Sequence, residues 1–298
     1  MFCIAIHGGA GSLDASKLTP EQENLYHNGL NAALDAGNAV LRDGGSALDA
    51  VQHAVMALED DPLFNAGKGS VFNFDGVHEM DAAIMCGKTR EAGAVAAVRH
   101  VRNPVLLARK IMNDARYVLL TGEGALDYAR QAGVELEEMS YFSTPHQYVQ
   151  LREAKMQRFK KASDTVGAVA RDMHGNLAAA SSTGGLTNKR FGRVGDSPVI
   201  GAGTYADNAS CAVCCTGEGE YFVRLVSAYD VSAMLRYRGT SLEDACRIAI
   251  GEKLTALGGE GGLIAVDYMG NIGLFANCTT MPRGWIGKDG QRGTAIRM

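Results

Sequence analysis

The strongest constraint on how this chain folds is a doubled order of periodicities. The run CIAIHGG, from Cys3, has the unbroken apolar character of a buried strand; two helical patterns follow it, and then short β-like runs. The first helix is announced by Thr19, Pro20 and Gln22 as a capping-box start and is expected to end at Gly44. The second opens at Ser46, with Asp49 three residues on, and carries Leu48, Val51, Val55 and Leu58 along one face until the acidic stop EDDP. The period then changes: GSVFNFDG (69–76), EMDAAIMCG (79–87) and AGAVAAVRHV (92–101) read as adjacent antiparallel strands. A helix from Asn103-Pro104 through Met112 and a strand-helix pair in YVLLTGEGALDYARQAG complete the first half.

Regularity fades over about residues 137–164, a polar stretch ending in lysines that reads as a surface helix or a linker. Strands return at once in TVGAVARD, an MHGN turn, LAAASS, IGAGTYADN and ASCAVCCTG. The runs 221–239 and 241–259 are helical, and GGLIAVDYMGNIGLFANC is expected to be a final hairpin turning at Gly270-Asn271. Strands, helices and strands, twice over, predict two β layers covered by helices on both sides.

With 298 residues, 46% hydrophobic and a formal charge of -4, the chain has enough apolar content for a large core, and its charge invites neither nucleic acid nor an anionic membrane. No apolar run approaches the length of a membrane span, and MFCIAIHGGAG lacks the basic start of a signal peptide, so a cytoplasmic location is expected. Seven cysteines in such a chain suggest reduced thiols. Cys211 and Cys214 have zinc-like spacing, with Cys215 beside them, but no histidine pair stands nearby; buried strand thiols are the expectation.

Three chemistries meet these pieces differently. His7-Gly8-Gly9-Ala10-Gly11 follows a strand, yet no GxGxxG or GK[ST] completes a phosphate loop. The same loop would suit an oxyanion role in an α/β-hydrolase, but no G-x-S-x-G elbow exists. What remains is a nucleophile that carries its own base: an N-terminal threonine whose free α-amino group accepts the hydroxyl proton. The free amine, with a reference pKa of about 7.7–8.0, is partly neutral near pH 7 and able to take the hydroxyl proton.

In six blocks the sequence resembles the plant-type asparaginases and isoaspartyl peptidases, N-terminal-nucleophile hydrolases of the threonine type. The blocks are IHGGAG (6–11), ALDAVQHAVMALEDDPLFNAGKGSVF (47–72), EMDAAIM (79–85), DTVGAVARD (164–172), SSTGGLTNKRFGRVGDSPVIGAGTYAD (181–207) and CTGEGE (215–220). The pattern departs from its usual form at Cys214-Cys215, where relatives more often place serine, and at Ser181, which replaces a common threonine. The resemblance implies an α/β (α+β) fold, a four-layer αββα sandwich, in one domain over 1–298. It implies self-cleavage between Asp164 and Thr165 into an α subunit, 1–164, ending in the linker, and a β subunit, 165–298, that assemble as (αβ)2.

The resemblance further implies roles for single residues. Thr165 is the nucleophile and Thr183 tunes its hydroxyl and amine; Thr216 and Gly217 supply the oxyanion donors. Arg193 holds a substrate α-carboxylate, Asp196 the α-ammonium, Gly219 lies against the ligand's amino end, and Asn65 steadies the surroundings of Thr165. Backbone carbonyls of Leu58, Glu59, Asp61, Phe64, Ala66 and Lys68 match a structural sodium loop, while the chemistry itself requires no cofactor. With both α groups of the substrate held, only its side-chain carbonyl is open to attack, so the implied substrates are β-aspartyl dipeptides and L-asparagine, with L-aspartate released from an acyl-enzyme. An enzyme dominated by L-asparaginase activity and an uncleaved ligand-binding relative are the alternatives.

Overall fold

The computed structural model describes residues 1–11, 13, 15–156 and 164–298. Strand β1 (Cys3–His7) leads into helices α1 (Pro20–Arg42) and α2 (Ala47–Asp60), then β2 (Met80–Cys86), β3 (Ala92–Val98), α3 (Pro104–Asp114), β4 (Leu119–Thr121), α4 (Gly122–Gln131), α5 (Met139–Phe142) and α6 (Pro145–Met156). From Asp164 onward come β5 (Val166–Arg171), β6 (Leu177–Thr183), β7 (Thr204–Ala206), β8 (Cys211–Gly217), α7 (Gly219–Leu225), α8 (Ser227–Arg238) and α9 (Leu242–Arg247). Helix α9 runs on as a π-helical stretch, Ile248–Leu254, before β9 (Gly261–Asp267), β10 (Ile272–Ala276), β11 (Thr280–Ile286) and β12 (Arg292–Arg297).

Among the described residues the strands form two sheets. One has eight strands in the order β12-β11-β1-β5-β6-β2-β3-β4, the other four in the order β10-β9-β8-β7. The pleat divides each central strand between two cores. In β1, Ile4 and Ile6 pack with Leu30 and Leu34 of α1 and Val51, Val55 and Leu58 of α2, while Cys3 and Ala5 turn the other way, toward Ala212, Cys214, Ile264 and Val266 of the second sheet. In β8, Val213 and Cys215 face Val231 of α8 and Ala245 of α9. Fully burying one such Leu or Val contributes about 1.5–3 kcal/mol, so the two outer cores fix the helices and the inner one fixes the sheets face to face.

Local signals explain the elements that open the chain. The Thr19 hydroxyl accepts from Gln22 N and the Gln22 side chain accepts from Thr19 N, closing the predicted capping box, and Ser46 caps α2 by accepting from Asp49 N. The β5-β6 and β9-β10 hairpins share one turn chemistry. Asp172 accepts from His174 N and Asn176 N, as Asp267 does from Met269 N and Asn271 N.

Several expectations need correction. GSVFNFDG is not a strand: only Phe72 bridges to His78, because the Asn73 side chain accepts from Asp75 N and Val77 N and turns the chain. The helical run 221–239 is two helices, broken at Val226, whose φ of +51° interrupts the ladder. The β9-β10 hairpin is not final, since β11 follows and pairs on β1, with β12 pairing on β11. Of the linker over about 137–164, α5 and α6 account for much of the first part, while residues 157–163 lie outside the described residues.

Candidate active site

The two sheets bring three threonines together. Thr165 stands immediately before β5, which lies between β1 and β6 in the middle of the large sheet; Thr183 ends β6, and Thr216 lies near the end of β8 in the other sheet. All three are buried. The Thr165 N–H donates to Thr216 Oγ1 at 3.3 Å, and the Thr216 hydroxyl donates back to the Thr165 carbonyl at 3.4 Å. The Thr183 hydroxyl donates to the carbonyl of Asp164 at 3.2 Å and accepts from Gly185 N at 2.9 Å. In the uncut chain, then, a neighbouring hydroxyl polarises the carbonyl that precedes Thr165.

Asn65 braces this cluster from the loop after α2. Its side chain donates to the Gly185 carbonyl at 2.9 Å and accepts from Val71 N at 2.9 Å, and its own carbonyl accepts from Gly184 N at 3.0 Å. His7, opposite Gly167 in the ladder, is fully buried; burial pushes its pKa down to about 3, so the ring is a neutral packing group.

A charged corner lies on the far side of the loop that follows β6. A methyl group on Gly219 would stand 2.7 Å from Asp196 Oδ1 and 3.0 Å from Arg193 Nη2, so the two side chains meet in the space this glycine leaves. Asp196 is 3% exposed and its Oδ2 has no hydrogen-bond partner among the described residues. Burial, opposed by its own backbone N–H and by Arg193, pushes its carboxyl up to about 7. Arg193 is engaged already: Nε and Nη2 donate to the Glu220 carboxylate at 2.9 and 3.1 Å. Because the Glu220 side chain is 55% exposed, that pair contributes at most about 1 kcal/mol and yields readily to another carboxylate.

Gly217 closes β8 with φ +131°, next to Thr216 and opposite Gly261 in the ladder. The expected sodium positions span the end of α2 and the loop that follows it. The carbonyl oxygens of Glu59, Pro62 and Phe64 crowd against Gly67 and Gly69: a methyl on Gly67 would stand 2.4 Å from Glu59 O, and one on Gly69 2.1 Å from Phe64 O and 2.7 Å from Pro62 O. Three expected ligands are also used in the turn, Asp61 O accepting from Phe64 N, Phe64 O from Ala66 N and Ala66 O from Gly69 N. Each carbonyl keeps a second lone pair. Leu58 lies within α2 and Lys68 in the short 3-10 turn Gly67–Gly69.

Two neighbours were not anticipated. Ser197 places its hydroxyl 3.0 Å from Thr165 Oγ1, and Glu220 occupies one edge of Arg193. The only sequence signal for either is that each stands in the same glycine-punctuated segment as an expected residue, Ser197 beside Asp196 and Glu220 beside Gly219.

A family model described as Asparaginase matches residues 1–296. The chain is 52% identical to an isoaspartyl peptidase of Salmonella typhimurium, over 95% of this chain and 94% of that protein, and 50% identical to an isoaspartyl peptidase of Escherichia coli, over 95% and 92%. It is 41% identical to a human isoaspartyl peptidase/L-asparaginase, over 97% and 94% of the two chains.

Proposed function

The chain belongs to the isoaspartyl peptidase/L-asparaginase family, and on that premise we propose that it is an autoprocessing hydrolase which releases L-aspartate from β-aspartyl dipeptides and from L-asparagine. The observation that carries the reading is the cluster at the start of β5, where buried Thr165 donates its N–H to Thr216 and the preceding carbonyl accepts from Thr183.

Maturation comes first. Thr165 Oγ1 bonds to the carbonyl carbon of Asp164, the C–N bond breaks, and the hydroxyl proton ends on the Thr165 nitrogen; water then opens the ester. Fragments 1–164 and 165–298 result, and the threonine now carries a free amine able to act as general base. In the second reaction that amine takes the proton of Oγ1 as it attacks the substrate's side-chain carbonyl. Thr216 and the backbone N–H of Gly217 stabilise the developing oxyanion, the leaving amine departs protonated, and water releases L-aspartate from the acyl-enzyme. Asp196 in its ionised form pairs with the substrate α-ammonium over Gly219. Arg193 pairs with the α-carboxylate, Glu220 giving way.

The two sheets packed face to face, each with helices on its outer side, support a four-layer αββα sandwich. Membership of the family supports assembly of the cut chains as (αβ)2. Neutral carbonyl oxygens crowding the loop after α2 suit a hard monovalent cation, so Leu58, Glu59, Asp61, Phe64, Ala66 and Lys68 would hold a sodium ion there; such an ion would brace Asn65 and supply no chemistry.

Mass spectrometry of the purified protein tests the reading. Two fragments meeting between Asp164 and Thr165, together with aspartate released from β-aspartyl-leucine, are expected. A chain that stays intact on ageing and releases no aspartate would overturn it. Comparing turnover of the dipeptide with that of asparagine assigns the preferred substrate.

A further inference from the structure

We propose that Ser197 is a positioning residue for the nucleophile in both reactions, and this rests on the reading of Thr165 just given. The Ser197 hydroxyl lies 3.0 Å from Thr165 Oγ1, with Ser197 1% and Thr165 2% exposed, so each hydroxyl is shielded from bulk water. Its placement is firm. The Ser197 carbonyl lies 3.0 Å from Ser181 Oγ and 3.1 Å from Thr204 Oγ1, and those two hydroxyls are 2.5 Å apart; one donates to the other, which in turn donates to the carbonyl. Ser181 belongs to β6 of the large sheet and Thr204 to β7 of the small one, so the loop carrying Ser197 is pinned where the sheets meet.

The 3.0 Å contact admits either hydroxyl as donor. In the uncut chain the Thr165 nitrogen is an amide, already donating to Thr216, and has no lone pair to offer. In the proposed arrangement the Thr165 hydroxyl points its hydrogen at Ser197 Oγ, which leaves the Oγ1 lone pairs for the Asp164 carbonyl carbon. After the cut, the amine accepts the Oγ1 hydrogen instead. Ser197 then turns and donates to Oγ1, steadying the negative charge that grows there during attack. Ser197 neither gains nor loses a proton in either step; only the orientation of its O–H reverses.

The isosteric pair Ser197→Thr and Ser197→Val, which differ in the hydroxyl alone, tests this beside Ser197→Ala. The time course of cutting is followed by mass spectrometry, kcat and KM are measured on the cut protein, and melting temperature controls for folding. With Val or Ala, cutting slows at least about tenfold and kcat falls about tenfold while KM stays within about twofold; with Thr both rates recover to within a few-fold of the parent. Val and Ala variants that cut and turn over like the parent would overturn the proposal, as would a Thr variant as slow as Val with an unchanged melting temperature. A parent chain that never cuts refutes instead the reading of Thr165.

Discussion

Replacing Gly219 with Ala is expected to separate binding from stability. Gly219 is the first residue of α7 and its φ lies outside the left-handed region, so the backbone accepts Ala without strain. Alanine is favoured over glycine inside a helix by about 0.5–1 kcal/mol, which offsets part of the crowding that its methyl meets, so the fold should survive with at most a modest fall in melting temperature. The added methyl, however, stands 2.7 Å from Asp196 Oδ1 and 3.0 Å from both Arg193 Nη2 and Asp196 N. The backbone nitrogen has nowhere to go, so the carboxylate and the guanidinium must part, and the space for a substrate ammonium closes. Losing one charge-assisted hydrogen bond costs about 1.5–3 kcal/mol, or roughly 10- to 150-fold in kcat/KM. Cutting at Thr165 should proceed at close to the parent rate, because the hydrogen bonds from Thr165 N to Thr216 and from Thr183 to the Asp164 carbonyl involve neither of the side chains that the methyl displaces, Arg193 and Asp196. Steady-state kinetics on β-aspartyl-leucine, a melting curve and fragment masses together decide the matter. A kcat/KM within twofold of the parent refutes the binding geometry, and so does a loss of activity that tracks a failure to cut.

Asp196→Asn should alter the pH response. With its carboxyl pushed up to about 7 by burial, Asp196 loses its charge below that pH, so kcat/KM of the parent falls with two ionisations, that carboxyl and the Thr165 amine. The Asn variant should be weaker throughout but show one ionisation in the same profile. Stability moves in the opposite sense: between about 4 and 7 the folded state holds a proton that the unfolded chain has lost, so the parent loses stability as pH rises through that window. Melting temperatures from pH 5 to 8 should show the Asn variant gaining on the parent as pH rises; parallel curves would contradict the raised carboxyl. Thr183→Val removes the donor to the Asp164 carbonyl and should slow cutting by roughly 10²–10³-fold, read as intact mass against time; cutting at the parent rate would show that Thr183 does not polarise that carbonyl.

Legibility in the sequence followed the range of each interaction. The capping box at Thr19 and Gln22 and the Ser46 cap are three residues wide, and they read directly. The strand β11 did not, because Thr280–Ile286 contains Pro282, Arg283 and Gly284 and owes its existence to pairing with β1, some 280 residues earlier. GSVFNFDG had the apolar content of a strand, yet one side chain, Asn73, claimed its backbone. At the site, Thr165, Thr183, Arg193 and Asp196 came from resemblance to a family and not from any local pattern. Ser197 is 32 residues from Thr165, and the hydroxyls that hold it belong to two sheets; no spacing rule joins them. The carbonyls of the loop after α2 leave no mark in residue type at all.

The strand order also bears on what a cut at Asp164 does to the molecule. Strands β1 to β4 precede the cut and β5 to β12 follow it, yet the large sheet runs β12-β11-β1-β5-β6-β2-β3-β4. The two fragments therefore alternate, meeting at three ladders: β11 with β1, β1 with β5, and β6 with β2. Strand β1 has a strand of the later fragment on each side, so parting the fragments would bare both its edges, and each buried backbone group left unpaired costs about 1–3 kcal/mol. Cut protein should accordingly elute as one species under native conditions and give two chains only in denaturant; fragments that part without unfolding would contradict this strand order. The β5-β6 hairpin, both strands in the later fragment, keeps Val166 paired with Ser182, and β1 of the earlier fragment stays opposite it at His7 and Gly167, so on the proposed reading Thr165 is held where it was while its nitrogen changes from amide to amine. On that reading, folding sets the position of the nucleophile and the cut supplies its base.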